Sequence, residues 1–279
     1  MDFCHISPTN FLQTFCSEQQ SHLLLAHLVE NDTDYRQWYQ NTKRHSQPPM
    51  YILDNSAFEM YKQNKPMYPS EKLIDLGRQV KADYIVMSDY PNQPWEKTRD
   101  AALTLGYEFK KAGFGTFYCP QAEIGNIQDL LRSFAFAASS DLVDYIGVSI
   151  LAIPNAFGVE SNNKLQRFLS RWKFMQLLEE MQILDTIARN KKKLHFLGMV
   201  DGPNEIELVA KYKDLIYTWD SSAAIWAGLN GIRFDHSPTG LINGKFEKEV
   251  IFSLDRTHVT DDKMTAVRYN INYINDLCK

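Results

Sequence analysis

Residues 216–231 read Ile-Tyr-Thr-Trp-Asp-Ser-Ser-Ala-Ala-Ile-Trp-Ala-Gly-Leu-Asn-Gly, and this stretch sets the pattern for the whole chain. Its apolar beginning, residues 215–219, predicts a short strand, and Asp220 follows that strand directly. Two serines and a run of small residues typical of a helix come next. The order places Asp220 at the carboxyl end of a strand, where α/β folds hold their functional groups.

The same order of an apolar strand followed by a carboxylate or carboxamide occurs three more times. The repeats are residues 51–53 followed by Asp54, residues 84–88 followed by Asp89, and residues 116–119 followed by Pro120 and Gln121. Further strands are predicted over 22–29, 144–149, 194–199 and, as the eighth, 231–234. Helical patterns lie between them at 32–41, 71–81 with Ser70 as N-cap, 96–112, 127–138, 164–190 and 205–212, and again from 261 onward.

Strict alternation of strands and helices favours parallel strands joined by crossover helices. Eight such units predict a single (β/α)8 barrel of the α/β class, and 279 residues suit a fold that usually needs about 250. No repeat, low-complexity tract or linker interrupts the pattern. We therefore expect one domain over residues 1–279.

The bulk composition is that of an ordinary globular protein, with 44% hydrophobic and 23% charged residues. The net charge of −4 excludes a basic field over the whole molecule, so contact with nucleic acid needs a local patch. The four cysteines lack CxxC spacing, which predicts reduced thiols, no zinc site and no disulfide framework. Without a signal sequence or a long apolar run, we expect a cytoplasmic protein that does not enter a membrane.

Three acids, Asp54, Asp89 and Asp220, end three different predicted strands. Barrel geometry directs such ends into one pocket, where two carboxylates in different surroundings divide the work of nucleophile and general acid or base. The alternative is that each acid only caps the next helix. Gln121 has a carboxamide that both donates and accepts, which suits a base edge, although alone it is also an ordinary loop residue.

Several other residues have both a functional and a structural interpretation. The segments that contain Gly147 and Ser149, and the segment 198–202, either present backbone groups to a ligand or form tight turns. Phe58, Tyr90 and Met199 either sandwich a flat ring or belong to the core. His27 and His195 lie in apolar strands, which favours core histidines over catalysts.

The densest basic region runs from 164 to 193. Lys164, Arg167 and Arg171 have the spacing i, i+3, i+7, which places them on one helical face, and Lys192 follows within a run of three lysines. This pattern predicts a site for the backbone of a nucleic acid. A solvated helix face is the alternative.

Six segments carry a further signal through their order along the chain. They are 53–58 (Leu-Asp-Asn-Ser-Ala-Phe), 84–91 (Tyr-Ile-Val-Met-Ser-Asp-Tyr-Pro), 120–122 (Pro-Gln-Ala), 145–150 (Tyr-Ile-Gly-Val-Ser-Ile), 197–205, and 219–221 (Trp-Asp-Ser). In this order they resemble the motifs of tRNA-guanine transglycosylases. The resemblance implies that Asp220 is the nucleophile, that Asp54 is the general acid and base, and that Asp89 and Gln121 contact guanine.

Two departures from that family refine the expectation. Its zinc motif of three cysteines and a histidine near the carboxyl end is absent, because only Cys278 lies there. Its glycine pair after the first aspartate is replaced by Ser56 and Ala57. The chain is more similar to the zinc-free DNA guanine transglycosylases of phages and bacteria, which insert 7-deazaguanine bases into DNA.

That resemblance implies DNA and a free 7-deazaguanine base of the preQ0 type as partners, no metal or redox cofactor, and action in the cytoplasm, that of the host if a phage encodes the chain. Three alternatives stay open. The same acids suit a nucleoside or glycoside hydrolase with water as acceptor. The remaining two are a zinc-free enzyme acting on tRNA and a base-binding barrel without turnover.

Overall fold

The computed structural model describes residues 1–44, 47–199, 203–234 and 250–279. Its eight strands are β1 (Asp2–His5), β2 (Ser21–Leu25), β3 (Met50–Asp54), β4 (Tyr84–Val86), β5 (Gly115–Tyr118), β6 (Tyr145–Ser149), β7 (Lys193–Leu197) and β8 (Ile216–Ser221). They form one parallel sheet in the order β1-β8-β7-β6-β5-β4-β3-β2. The sheet curls until β1 and β2 approach each other, so the predicted (β/α)8 barrel is confirmed.

Helices alternate with these strands and surround them. They are α1 (Leu12–Phe15), α2 (Ala26–Asn31), α3 (Thr33–Thr42), α4 (Ala57–Lys62), α5 (Ser70–Val80), α6 (Trp95–Lys111), α7 (Ile127–Ser139), α8 (Ala152–Ala156), α9 (Lys164–Glu180), α10 (Ile183–Arg189), α11 (Glu205–Leu208), α12 (Ala223–Leu229) and α13 (Asp261–Leu277). Short 3-10 turns lie at Thr9–Phe11, Ala210–Tyr212 and Arg256–His258.

The eighth strand was placed wrongly by the sequence pattern. Residues 231–234 follow α12 without forming a strand: Asn230 and Gly231 make a turn, and the φ of 79° at Gly231 lies in the left-handed region. The strand that completes the barrel is β1, in which Asp2 pairs with Thr218 and Cys4 with Asp220. Four residues are too short a run to show strand periodicity, so the sequence pattern does not predict this strand.

Three further predictions of element bounds also need correction: one helix, one strand and one N-cap. The predicted helix 164–190 is two helices, because Gln182 adopts a left-handed φ of 57° between α9 and α10. The predicted strand 22–29 ends at Leu25 and continues as α2. Ser70 is the first residue of α5 rather than its N-cap, which is Pro69.

Side chains on the strands alternate between the barrel interior and the helix layer. On β2, Leu23 and Leu25 belong to the interior cluster while Leu24 packs outward. The interior cluster contains Cys4, Leu23, Leu25, Ile52, Val86, Phe117 and Tyr145. At the amino end, Lys193 Nζ lies over the rings of Tyr84, Tyr145 and Tyr217. The interior is therefore filled, and the carboxyl end is left to hold a site.

Candidate active site

Asp54 ends β3 and lies on the same side of the strand as Ile52, so it points into the mouth of the barrel. Ser56 N donates to Asp54 Oδ2 at 3.0 Å, and Ser56 itself has a left-handed φ of 56°. Burial raises the pKa of Asp54 well above its usual value, and the charges of Glu59, Asp89 and Asp220 raise it further. Asp54 therefore keeps its proton to a higher pH than an ordinary carboxyl.

Asp89 lies three residues beyond β4 and is held by two side-chain amides. Asn55 Nδ2 donates to Asp89 Oδ1 at 2.8 Å, and also to the carbonyl oxygen of Met87 at 2.7 Å. Gln121 Nε2 donates to Asp89 Oδ2 at 2.5 Å. Burial raises the pKa of Asp89, while the donors Asn55, Gln121 and Cys119 counteract that rise. The cluster is a polar wall of amides around one carboxyl group.

Asp220 sits near the end of β8 in a different setting. His195 Nε2 lies 2.9 Å from Asp220 Oδ1, and Gly198 N donates to the same oxygen at 3.1 Å. The other ring nitrogen of His195, Nδ1, lies 2.7 Å from Thr218 Oγ1. Asp220 is 5% exposed and His195 is fully buried. The carboxylate is therefore held by a side chain of the barrel interior.

The three acids predicted to converge lie at one mouth. All three follow or end strands at the carboxyl rim, and Asp54 is close enough to Asp89 and Asp220 for both charges to affect its pKa. None of them is an N-cap, since the N-caps of α4, α6 and α12 are Ser56, Pro94 and Ser222. The capping alternative therefore fails for all three.

Of the other residues predicted to contact a base, three have structural roles and one, Phe58, is exposed. A Cβ at Gly147 would lie 2.8 Å from atoms of Leu197 and Phe117, so this glycine makes room for packing. Ser149 Oγ accepts from the backbone nitrogens at positions 151 and 152, which caps the turn into α8. Met199 is buried in the core, whereas Phe58 is 42% exposed at the rim.

Arg171 was wrongly predicted to bind nucleic acid. Its side chain is fully buried and forms a two-pronged ion pair with Glu205, both N···O distances being 2.6 Å. It also donates to the carbonyl oxygens of Val148, Leu197 and Gly198. Arg171 thus ties together the carboxyl ends of β6 and β7, and no phosphate can reach it.

Lys192, also predicted to contact nucleic acid, lies at the amino rim. Its Nζ donates to the carbonyl oxygens of Ser140 and Val143, at 2.8 and 2.6 Å, just before β6 begins. It lines an open cavity of about 510 Å³ whose wall includes Asp83, Asp144 and Lys191. A nucleic acid at the acid cluster would be at the other end of the barrel.

Lys164 and Arg167, the other two cations of that predicted patch, lie near the carboxyl end of β6. Lys164 is exposed at the start of α9, and Arg167 Nη2 reaches the carbonyl oxygen of Ile150 at 3.4 Å, just beyond the end of β6. These two cations are therefore at the carboxyl rim, the same end as the three acids.

Two residues of the cluster were missed from sequence. Asn55 was assigned no role from the sequence, and His195 was expected to be a core histidine. The contact between His195 and Asp220 follows from the strand register: His195 pairs with Thr218, and Asp220 lies two residues further along the same face of β8. The spacing of these residues in the sequence does not give that register, so it does not predict the contact.

Within the described ranges, no helix has the length and apolar character needed to cross a membrane. The same ranges contain no group of three or more His, Cys, Asp and Glu side chains placed to hold a metal. No protein-family model matches the chain, and no curated protein matches it. The chemistry of the site therefore has to be argued from its geometry.

Proposed function

We propose that this protein exchanges guanine in DNA for a 7-deazaguanine base through a covalent intermediate on Asp220. One observation carries the proposal: a carboxyl group whose pKa is raised, Asp54, shares a mouth with a second carboxylate fixed by an imidazole and a backbone N–H. Such a pair suits proton donation by one acid and nucleophilic attack by the other.

The first step forms one bond and breaks another. A carboxylate oxygen of Asp220 attacks C1′ of the deoxyribose, and the bond from C1′ to the guanine nitrogen breaks. The electron pair of that bond leaves with the base, which takes the proton of Asp54. The sugar is then held as an ester on Asp220, and Asp54 has become a carboxylate.

The second step reverses the first with a different base. The Asp54 carboxylate removes the ring N–H proton of the incoming 7-deazaguanine, and the freed nitrogen attacks C1′. The ester bond breaks, which returns Asp220 to its ionised form. Proton and electrons balance without a metal or a redox cofactor.

Recognition of the base is assigned to Asp89 and Gln121. An ionised Asp89 accepts hydrogen bonds from the N1–H and exocyclic amine of guanine, and the carboxamide of Gln121 faces another edge. The target guanine must leave the helical stack to reach this wall. Lys164 and Arg167 at the same rim are the cations proposed to meet the DNA backbone. We place the reaction in the cytoplasm, where the four free cysteines stay reduced.

Trapping the intermediate tests the proposal. The protein is incubated with guanine-containing DNA, and mass spectrometry with peptide mapping locates any deoxyribose adduct. We expect the adduct on Asp220 and a loss of exchange of at least about 10³-fold in Asp220→Ala and Asp220→Asn. Circular dichroism checks that both variants keep the fold.

Each other outcome has a defined meaning. Full exchange by Asp220→Ala removes Asp220 from its role. Base release without a second base, leaving abasic DNA, identifies a hydrolase instead. Labelled tRNA, offered in competition with labelled DNA, decides between the two nucleic acids, and DNA binding without any adduct identifies a binding protein without turnover.

A further inference from the structure

The closest partner of the proposed nucleophile is a histidine in the barrel interior. His195 is fully buried and has a hydrogen-bonding partner at each ring nitrogen. Thr218 Oγ1 lies 2.7 Å from Nδ1, and Asp220 Oδ1 lies 2.9 Å from Nε2. The three side chains form a continuous line through the barrel that ends at the carboxylate.

The chemistry of the partners decides which nitrogen carries the proton. An ionised carboxylate only accepts hydrogen bonds, so Asp220 requires the N–H on Nε2. Nδ1 of a neutral imidazole is then an acceptor, and the Thr218 hydroxyl, which both donates and accepts, donates to it. Thr218 therefore selects the tautomer in which His195 can donate to Asp220.

The hydrogen bonds to Asp220 are unevenly distributed between its two oxygens. Both bonds found among the described residues, from His195 and from Gly198 N, end on Oδ1. Oδ2 keeps its electron pairs for another partner. Because two fixed donors hold Oδ1, rotation of the carboxylate is restricted and Oδ2 has a defined direction.

We infer that His195, held in one tautomer by Thr218, is a positioning residue that makes Oδ2 of Asp220 the attacking oxygen. The expected kinetic effect rests on the proposed function, whereas the expected tautomer of His195 does not. The gain is one of orientation, since a reacting atom misplaced by about 1 Å can lose about 10²-fold in rate.

Kinetics of paired variants test the positioning role. His195→Phe keeps a ring but removes the donor, and we expect the kcat of exchange to fall about 10²-fold while KM for the free base changes little. His195→Gln, which places an amide N–H near the former Nε2, should recover part of the rate. Thr218→Val should lower kcat and Thr218→Ser should not, since serine keeps the hydroxyl.

His22→Phe is the matched control, because His22 on β2 is also buried but packs among the rings of Trp38 and Tyr39 on α3 and Tyr51 on β3. Thermal unfolding of every variant separates misfolding from misplacement. Equal rates in His195→Phe and the wild type would overturn the positioning role, as would a loss that appears in KM alone.

Nitrogen NMR of the histidine ring gives a readout that does not depend on turnover. We expect the shifts of a neutral ring protonated at Nε2 in the wild type, and a mixture of tautomers in Thr218→Val. A ring protonated at Nδ1 would overturn the inference even in an active enzyme. The Nε2–H tautomer in a protein that forms no adduct would instead keep the geometry and reject the proposed function.

Discussion

The two halves of the barrel mouth surround their aspartates with different neighbours. On the side of β3 to β5, Asp54 and Asp89 lie among other acids and amides, and their pKa values are raised. On the side of β7 and β8, Asp220 is held by an imidazole and a backbone N–H. The comparison teaches that an aspartate at a strand end acquires its role from its neighbours rather than from its position.

The largest effect on activity is expected from Asp54→Asn, which removes the proposed proton donor but keeps the shape of the side chain. Loss of a general acid should slow the adduct-forming step by about 10²- to 10⁴-fold. In the wild type, that step needs protonated Asp54, so its rate should fall as the pH rises through the raised pKa of Asp54. Single-turnover rates across a pH series, read as adduct on Asp220, measure both effects.

The stability of the same variant provides an independent check. Folding raises the pKa of Asp54, so the wild type loses stability as the pH rises from about 3.9 through the raised value, and an asparagine does not. The free energy of unfolding of Asp54→Asn minus that of the wild type should therefore grow over this window. A difference that stays constant with pH would contradict the raised pKa.

The next largest effect is expected at Arg171, which links the carboxyl ends of β6 and β7. Arg171→Met breaks the buried ion pair between Arg171 and Glu205, which should lower the free energy of unfolding by about 3–5 kcal/mol. Urea unfolding measures this change. Lys173→Met, an exposed substitution on the same helix, should stay within about 0.5 kcal/mol.

The arginine variant also tests the corrected assignment. A stable Arg171→Met protein with weakened DNA binding would restore Arg171 to the nucleic-acid surface and remove it from the framework. Unchanged DNA binding by the folded fraction agrees with a structural arginine.

The smallest effect is expected at the amide-lined wall. Asp89→Asn exchanges an acceptor for a donor opposite the base and should weaken binding of a free 7-deazaguanine by about 10- to 100-fold, as for one or two lost hydrogen bonds. Calorimetry with the free base measures the affinity. Asp141→Asn, the same change on an exposed residue at the amino rim, should leave it unaltered; equal affinities in all three proteins would refute the assignment of Asp89.

Much of this site was predictable because the sequence shows where strands end. An apolar run that stops at an acid predicts a residue at the carboxyl rim, and this was sufficient for Asp54, Asp89 and Asp220. Helical spacing, by contrast, showed that Arg167 and Arg171 share a side of α9 but not how deeply each is buried. Arg171 faces the barrel because Glu205, distant in sequence, is there to pair with it.

Contacts between strands explain the remaining misses. The partnership of His195 with Asp220 depends on the register of β7 against β8, which includes an irregularity between Leu194 and His195. The strand β1 has only four residues and is recognisable only beside β8. These contacts join strands that are distant in the sequence or depend on register, so no local sequence pattern predicts them.

The pairing of β1 with β8 also sets an order of events during synthesis on the ribosome. The strand β1 leaves the exit tunnel first, but its partner β8 is the last of the eight strands to be synthesised. A nascent chain already holds Asp54 and Asp89 when the segment bearing Asp220 has not yet been translated. Asp220 thus reaches its place beside β1 only after all eight strands have been made, so the cluster of three acids is complete only in the finished barrel.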